Sequence, residues 1–236
     1  MSETFVVPDA HGNGTLVRGL LKQEGLPRPG VFVVQLGDLA NCVLESEADD
    51  MDALSIVGDG IDLMLLGNHE APMLNSDYSA RFVGFYQHAS VHHMMKHLVS
   101  RDAIQLSYVA DDVLVTHAGL SSYWGRPDKT AEAAHQNLEH AWRSGSWRHD
   151  SIVMACGRAR GGFNAEGGIL WSDWSEPKRS AFPQLVGHSV GEEIRRKRSA
   201  ICIDLGAGKQ RTRIAGAWIR DGEITTVEYR EAGLLT

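Results

Sequence analysis

The chain has 236 residues, 43% of them apolar, and a formal charge of −7 at neutral pH. That apolar content is ample for a sizeable core, and with no linker visible a single domain over residues 1–236 is expected. The acidic balance speaks against broad nucleic-acid binding, which needs a basic surface, so no stable nucleic-acid partner is expected; local recognition of phosphate stays open.

Three scattered cysteines, Cys42, Cys156 and Cys202, form neither a disulfide framework nor a Cys-x-x-Cys pair, which points to a reducing, cytoplasmic setting. No apolar run reaches transmembrane length, so no membrane is expected. Phe5–Val7 already reads as a strand and leaves no room for a signal peptide.

In chain order, Thr4–Pro8 reads as a short strand delivering Asp9-Ala10-His11-Gly12. Asp9 and His11 stand two apart, on one side of extended backbone, where a carboxylate and an imidazole can chelate one cation. Thr15–Glu24 has the apolar spacing of an amphipathic helix and stops at Gly25 and Pro27. Val31–Leu36 is the second strand and runs into Gly37-Asp38-Leu39-Ala40-Asn41-Cys42. Glu45–Val57 is acidic and helical, and its carboxylates do not fit a calcium loop. The run Leu63–Leu66 is a buried strand followed by Gly67-Asn68-His69-Glu70. Gly67 is expected to let the backbone turn sharply, leaving a neutral oxygen, an imidazole and a carboxylate at the strand's carboxyl end, where open α/β sheets bind ligands.

Asn75–Gln87 and Ser90–Ser100 read as helices, and His88, His92, His93 and His97 on or beside them read as an exposed face. Ile104–Val109 and Val113–Thr116 read as two strands around an Asp111-Asp112 turn, the second ending in His117-Ala118-Gly119. Lys129–Arg143 is a helix by period. Gly157–Gly168, with Arg158 and Arg160, reads as a long flexible loop, a kind that is often functional. Leu170-Trp171-Ser172-Asp173 follows. Gln184–Val186 is a short strand ending in Gly187-His188. The basic run Arg195–Arg198 precedes a strand over Ala200–Leu205 and reads as a solvated edge or a lure for a polyanion. Arg213–Arg220 and Glu223–Tyr229 close the chain as a hairpin around Asp221-Gly222.

Five strand ends thus carry Asp9, His11, Asp38, Asn68, His69, His117 and His188. Carboxylates, imidazoles and an amide, without thiolate, make a kit for two divalent cations and suit manganese, iron or zinc better than calcium. Two ions roughly 3.5–4 Å apart can clamp an in-line phosphoryl displacement and generate hydroxide from water, while an unligated histidine protonates the leaving oxygen.

Together Asp9-Ala10-His11-Gly12, Gly37-Asp38, Gly67-Asn68-His69-Glu70, His117-Ala118-Gly119 and Gly187-His188 resemble the motifs of the calcineurin-like metallophosphoesterases. Leu170–Asp173 and Ile203-Asp204-Leu205-Gly206 are similar to segments of the phosphoprotein phosphatase branch in its bacterial and phage forms. The resemblance implies an α/β fold with four layers, α/β/β/α, in which two mixed β-sheets pack face to face between helices. It implies Asp9, His11 and Asp38 on one ion, and Asp38, Asn68, His117 and His188 on the other. Asp38 would bridge the two and His69 would be the general acid. The chain departs from the family where Asn41 replaces the aspartate that supports the acid histidine and Cys42 replaces a phosphate-gripping arginine. Arg158, Arg160 and Arg179 are candidates to take over that grip. The implied activity is phosphate-ester hydrolysis on a phosphoprotein or small phosphate ester. Hydrolysis of a dinucleoside polyphosphate and binding of phosphorylated partners without turnover are the alternatives.

Overall fold

The computed structural model of the protein describes residues 3–40, 46–75, 88–124, 128–178, 180–210 and 212–231, with only the backbone of 209 and 210. Asn41, Cys42, Arg179 and nearly all of the helix expected over Asn75–Gln87 lie outside the described residues.

Eleven strands form among the described residues: β1 (Glu3–Val7), β2 (Val31–Gln35), β3 (Leu63–Leu65), β4 (Ile104–Gln105), β5 (Ser107–Ala110), β6 (Val113–Thr116), β7 (Gln184–Val186), β8 (Arg195–Lys197), β9 (Ala200–Cys202), β10 (Arg213–Arg220) and β11 (Glu223–Arg230). They build two mixed sheets, ordered β11-β10-β1-β2-β3-β4 and β5-β6-β7-β9-β8. Strands β1 to β4 run parallel, as do β6, β7 and β9. The flanking pairs β1–β10, β10–β11, β5–β6 and β8–β9 are antiparallel.

Strand alternation explains why there are two sheets and not one. Side chains on a strand point to opposite faces in turn. Val6, Val34, Leu63, Leu65, Ala217 and Ile219 of the first sheet meet Val113, Val115, Leu185 and Ile201 of the second in one buried cluster. The intervening residues Phe5, Val33, Met64 and Ile214 on one sheet, and Leu114 on the other, join a second cluster with the helices. Both faces of the central strands are therefore apolar. Each aliphatic side chain fully buried this way contributes about 1.5–3 kcal/mol. Helices Gly14–Gln23, Glu47–Leu54 and Ala89–Ser100 cover the first sheet, and Ala131–Ser144 packs on β5 and β6 of the second. The four-layer α/β/β/α architecture follows.

Local signals set the element ends. Asn13 caps the first helix by accepting from the Leu16 amide at 3.2 Å. Ser46 and Asp49 form a reciprocal capping box that starts Glu47–Leu54. In the β10–β11 turn Asp221 and Gly222 both take left-handed backbone, φ 50° and 78°, the geometry a two-residue hairpin needs. On helix Ala89–Ser100, Val91, Met95 and Leu98 face the core while His93 and His97 are exposed.

Three expectations change. The stretch expected as one strand over Ile104–Val109 is two: β4 pairs with β3, and after Leu106 the chain crosses to the other sheet, where β5 pairs with β6. Leu106 is buried at the crossing, and the alternation Ile104-Gln105-Leu106-Ser107-Tyr108 continues through it, which hides the change of sheet. The basic run is itself edge strand β8. Arg195 donates to the Ser189 carbonyl and lies over the Trp174 ring, and Lys197 donates to the carbonyls of Trp174, Ser175 and Glu176 at 2.9–3.0 Å. Only Arg196 and Arg198 of the run are left exposed, which weakens the polyanion reading. The glycine-rich loop is ordered by its own hydrogen bonds: Arg158 donates to the Asn164 carbonyl at 2.9 Å, Gly162 to Gly157 at 2.9 Å, and Gly168 to Ala155 at 2.8 Å.

Candidate metal centre

Parallel β1, β2 and β3 end at the same edge of the first sheet, and the residues that follow them are Asp9 and His11, Asp38, and Asn68 and His69. Parallel β6 and β7 of the second sheet are followed by His117 and His188. Because the sheets face each other, these ends converge. Asp38 Oδ2 lies 3.8 Å from His11 Nε2, 3.8 Å from His69 Nε2 and 3.6 Å from His117 Nε2. Two donors about 2.1 Å from a shared ion at near-tetrahedral angles stand roughly 3.4 Å apart, so the spacing suits coordination. Two groups with metal-holding geometry result, His11–Asp38–His69 and Asp38–His117–His188, and Asp38 belongs to both.

The loops that make this edge are stiff. Glu70, fully buried, accepts the amides of Asp38 at 2.9 Å and Ala40 at 3.0 Å and so clamps the loop after β2. The Gln35 side chain bonds the Pro8 and Gly37 carbonyls at 3.2 and 2.8 Å, tying β1 to β2 at their ends. Asp9 accepts the His188 amide at 3.0 Å and thereby links the two sheets. Three site residues, His11, Asp38 and His188, hold left-handed backbone at φ 47°, 52° and 66°. Such conformations cost of order 1–3 kcal/mol and persist where the surroundings impose them.

Gly67 is a glycine for a reason other than the turn expected of it. It is absent from the residues with positive φ. A Cβ there would stand 2.2 Å from both the amide nitrogen and Oδ1 of Asp38. The missing side chain is the space in which Asp38 sits. Gly67→Ala is expected to displace that loop, lower stability by roughly 1–3 kcal/mol and weaken retention of divalent metal. Chemical denaturation and metal analysis of the purified variant check this, and an unchanged metal content would show that Asp38 can move without loss.

Electrostatically the cluster calls for cations. Burial pushes the Asp9 carboxyl well above the usual range, and Asp204 and Asp38 add to the rise against the His188 amide. Burial does the same to Asp38, reinforced by Glu70, with the His69 amide opposing. Glu70 is raised to about 7 by burial, in spite of the backbone amides of Ala40, Asp38 and Glu70 itself that donate to it. The histidines move the other way. Burial lowers His117 to about 3, and lowers His188 well below its usual value.

His117 is therefore neutral. Its Nδ1 lies 2.9 Å from the Leu36 carbonyl, which can only accept, so Nδ1 carries the proton and the Nε2 lone pair faces the cluster. There it meets Asn68 Oδ1 at 2.9 Å, His188 Nδ1 at 3.1 Å and Asp38 Oδ2 at 3.6 Å. Among these atoms only His188 Nδ1, or Asp38 Oδ2 when its raised carboxyl is protonated, can carry a proton. His188 Nε2 is buried without a hydrogen-bond partner among the described residues. A surplus of lone pairs in a desolvated pocket fits divalent metal, and the second nitrogen of His117 is anchored as ligating histidines usually are.

All seven expected strand-end residues are brought together. Asp9 reaches the cluster through the His188 amide, with Oδ2 3.9 Å from His117 Nδ1. His69 stands as close to Asp38 as His11 does, and the two rings meet edge to face with centroids 4.6 Å apart. Of the arginines, Arg158 and Arg160 are both exposed, and the charge of Arg160 acts on Asp38, His117 and His188. Sequence reasoning assigned no role to Asp204, which follows β9, is buried, and accepts the Gly206 amide at 2.8 Å. Its position after one more apolar strand was the available signal. Glu70 was visible in the sequence, but its clamp on a loop some 30 residues away was not.

Neither a family model nor a curated relative matches the sequence. Solved structures do. The chain is similar to a provisionally named diadenosine tetraphosphatase, at 19% identity and a TM-score of 0.58, over 98% of this chain and 95% of the other. It is similar to a protein serine/threonine phosphatase from Saccharomyces cerevisiae with likeness to human phosphatase PP5, at 14% identity and a TM-score of 0.58, over 98% and 81%. Over nearly its whole length the chain therefore has the metallophosphatase fold that its calcineurin-like motifs imply.

Proposed function

We propose that the protein is a metal-dependent phosphoester hydrolase that works with two divalent ions. The observation that carries this is the single carboxylate of Asp38 shared by two ligand groups, His11–Asp38–His69 and Asp38–His117–His188. In this reading Asp9, His11 and Asp38 hold one ion, and Asp38, Asn68, His117 and His188 hold the other. Manganese is the first choice, with iron or zinc as alternatives, because the donors are oxygen and imidazole nitrogen. When bound, such ions polarise phosphoryl oxygens and lower the pKa of water. The chain's own contribution is to hold the donors rigid, through Glu70, Gln35 and the His117–Leu36 bond, and to offer His69 as a proton donor to the leaving oxygen. His69 is less buried than His117, with a side chain 23% exposed, which supports a role facing substrate.

The substrate is a phosphorylated molecule, with phosphomonoesters and phosphoproteins as the leading class. A second reading, hydrolysis of dinucleoside polyphosphates, is favoured by aromatic side chains on the loops that carry His117 and Arg160. Phe163 is 98% and Tyr123 57% exposed, and a nucleobase can stack on such rings. Turnover of a chromogenic aryl phosphate by manganese-loaded protein tests the proposal, together with metal analysis. Turnover with close to two metals per chain is expected. A stoichiometry that saturates at one sinks the two-ion site. Binding of phosphate without turnover favours a module that holds phosphorylated partners. Release of nucleoside diphosphate from a dinucleoside polyphosphate, faster than phosphate from a phosphopeptide, selects the second reading.

A further inference from the structure

After β9 the chain crosses from the second sheet back to the first, where it resumes as β10. Leu205 is buried in the cluster between the sheets and Ala207 in the cluster shared with the helices, so the crossing is anchored on both sides. Asp204 ties its start. The Asp204 carbonyl accepts the amide of Gly191, three residues beyond His188, at 3.0 Å, and its Oδ1 accepts the Gly206 amide at 2.8 Å. Gly206 turns in left-handed backbone at φ 74°. The far end is tied by Asn13, whose side-chain amide donates to the Ala207 carbonyl at 3.4 Å. Asn13 also caps the first helix and stands two residues after His11.

The crossing then meets His11. A Cβ on Gly208 would stand 2.6 Å from His11 Cβ, 3.2 Å from Cγ and 3.3 Å from Cδ2. Gly208 is absent from the residues with positive φ, so what it supplies is space. The atom met first is the root of the imidazole side chain, which cannot swing aside as a flexible tip could. The backbone of His11 is held as well. The amides of Ala10 and His11 donate to the Asp38 carbonyl at 3.0 and 2.8 Å, and that of Gly12 donates to the Leu39 carbonyl at 2.7 Å. The ring itself packs edge to face on His69. The bare backbone of Gly208 is therefore one wall of the seat in which His11 is held.

We propose that Gly208 and Asp204 are positioning residues for the metal centre: Gly208 seats His11 for one ion, and Asp204 holds the crossing that brings Gly208 there. This rests on the two-ion reading above. The ion held through His11 then depends on the shape of the crossing, whereas the ion held through His117 and His188 does not.

The test is calorimetric titration of manganese into metal-free wild type, Gly208→Ala, Asp204→Asn and Asp204→Ala, with the manganese paramagnetic resonance spectrum and thermal unfolding recorded on the same samples. Wild type is expected to take two ions and to show the broad spectrum of a coupled pair. Gly208→Ala is expected to weaken one ion by roughly 10–100-fold, the cost of disturbing the residues behind a ligand, and to give the hyperfine-split spectrum of an isolated ion. Asp204→Asn keeps an oxygen for the Gly206 amide and should hold both ions. Asp204→Ala drops that oxygen and should weaken the same ion as Gly208→Ala. Pairing with ligand variants shows which ion that is. Added to His11→Asn, Gly208→Ala should cost nothing further, because it acts through His11; added to His188→Asn, it should weaken the ion that remains. Manganese binding by Gly208→Ala that matches wild type overturns the proposal, as does equal weakening of both ions. If Gly208→Ala does not fold, Asp204→Ala with and without His11→Asn carries the same test. The two readings fail separately. A wild type that binds a single ion, weakened by Gly208→Ala, removes the two-ion reading alone. Two ions held equally by wild type and Gly208→Ala remove the seat alone.

Discussion

Asp38→Asn is expected to abolish hydrolysis and to loosen both metals at once. The loss in kcat should be at least roughly 10³-fold, the scale seen when one preorganised electrostatic group is removed. The substitution is a clean one. Asp38 sits at φ 52°, a conformation asparagine tolerates, and the amide oxygen can still accept the His69 amide now bound at 2.9 Å. What disappears is the charge on the oxygen that stands 3.6–3.8 Å from three imidazoles. Metal analysis and kinetics on one preparation check it. A variant that loses one metal and keeps the other would show that the carboxylate serves a single ion.

His69→Asn should separate two roles that proximity alone leaves joined. As a proton donor, His69 can be removed with metal content intact, at a cost of roughly 10²–10⁴-fold in rate. That cost should be small for aryl phosphates, whose leaving groups need little protonation, and large for alkyl phosphates. As a ligand beside His11, its removal should lower metal content and cost both substrates equally. Rates on the two ester classes, with metal stoichiometry measured alongside, distinguish these outcomes.

Much of the site was legible because it obeys a local rule. An apolar strand followed at once by a polar residue announces itself at Pro8-Asp9, Gly37-Asp38, Gly67-Asn68, Thr116-His117 and Gly187-His188, wherever the strand lies in the fold. The sheets were legible for the same reason, since alternation along β1, β2 and β3 makes both faces apolar. What stayed hidden depends on distant partners. The change of sheet at Leu106 leaves no mark in a stretch that keeps its strand alternation from Ile104 to Tyr108. The edge strand β8 looks like a charged connector because its inward residues are an arginine and a lysine, stacked on or bonded to a turn some 20 residues away. Gly67 was read as a turn, whereas its need is space for Asp38, and nothing within four residues of it says so.

The crossing at Leu106 also has a mechanical meaning. Five of the seven converging residues hang from the first sheet and two, His117 and His188, from the second, so their spacing measures how far the two layers have slid. Several anchors oppose that sliding, among them the continuous chain from β4 into β5, with one residue between them, the bond from the His188 amide to Asp9 and the bond from His117 Nδ1 to the Leu36 carbonyl. Thinning the shared core, at Leu65 or Val115 for instance, relaxes the layers against each other while each keeps its own ladder of hydrogen bonds. Shear of that kind moves Asp38 relative to His117 long before it unfolds either sheet, which makes the cluster a gauge of registry as much as a place for chemistry.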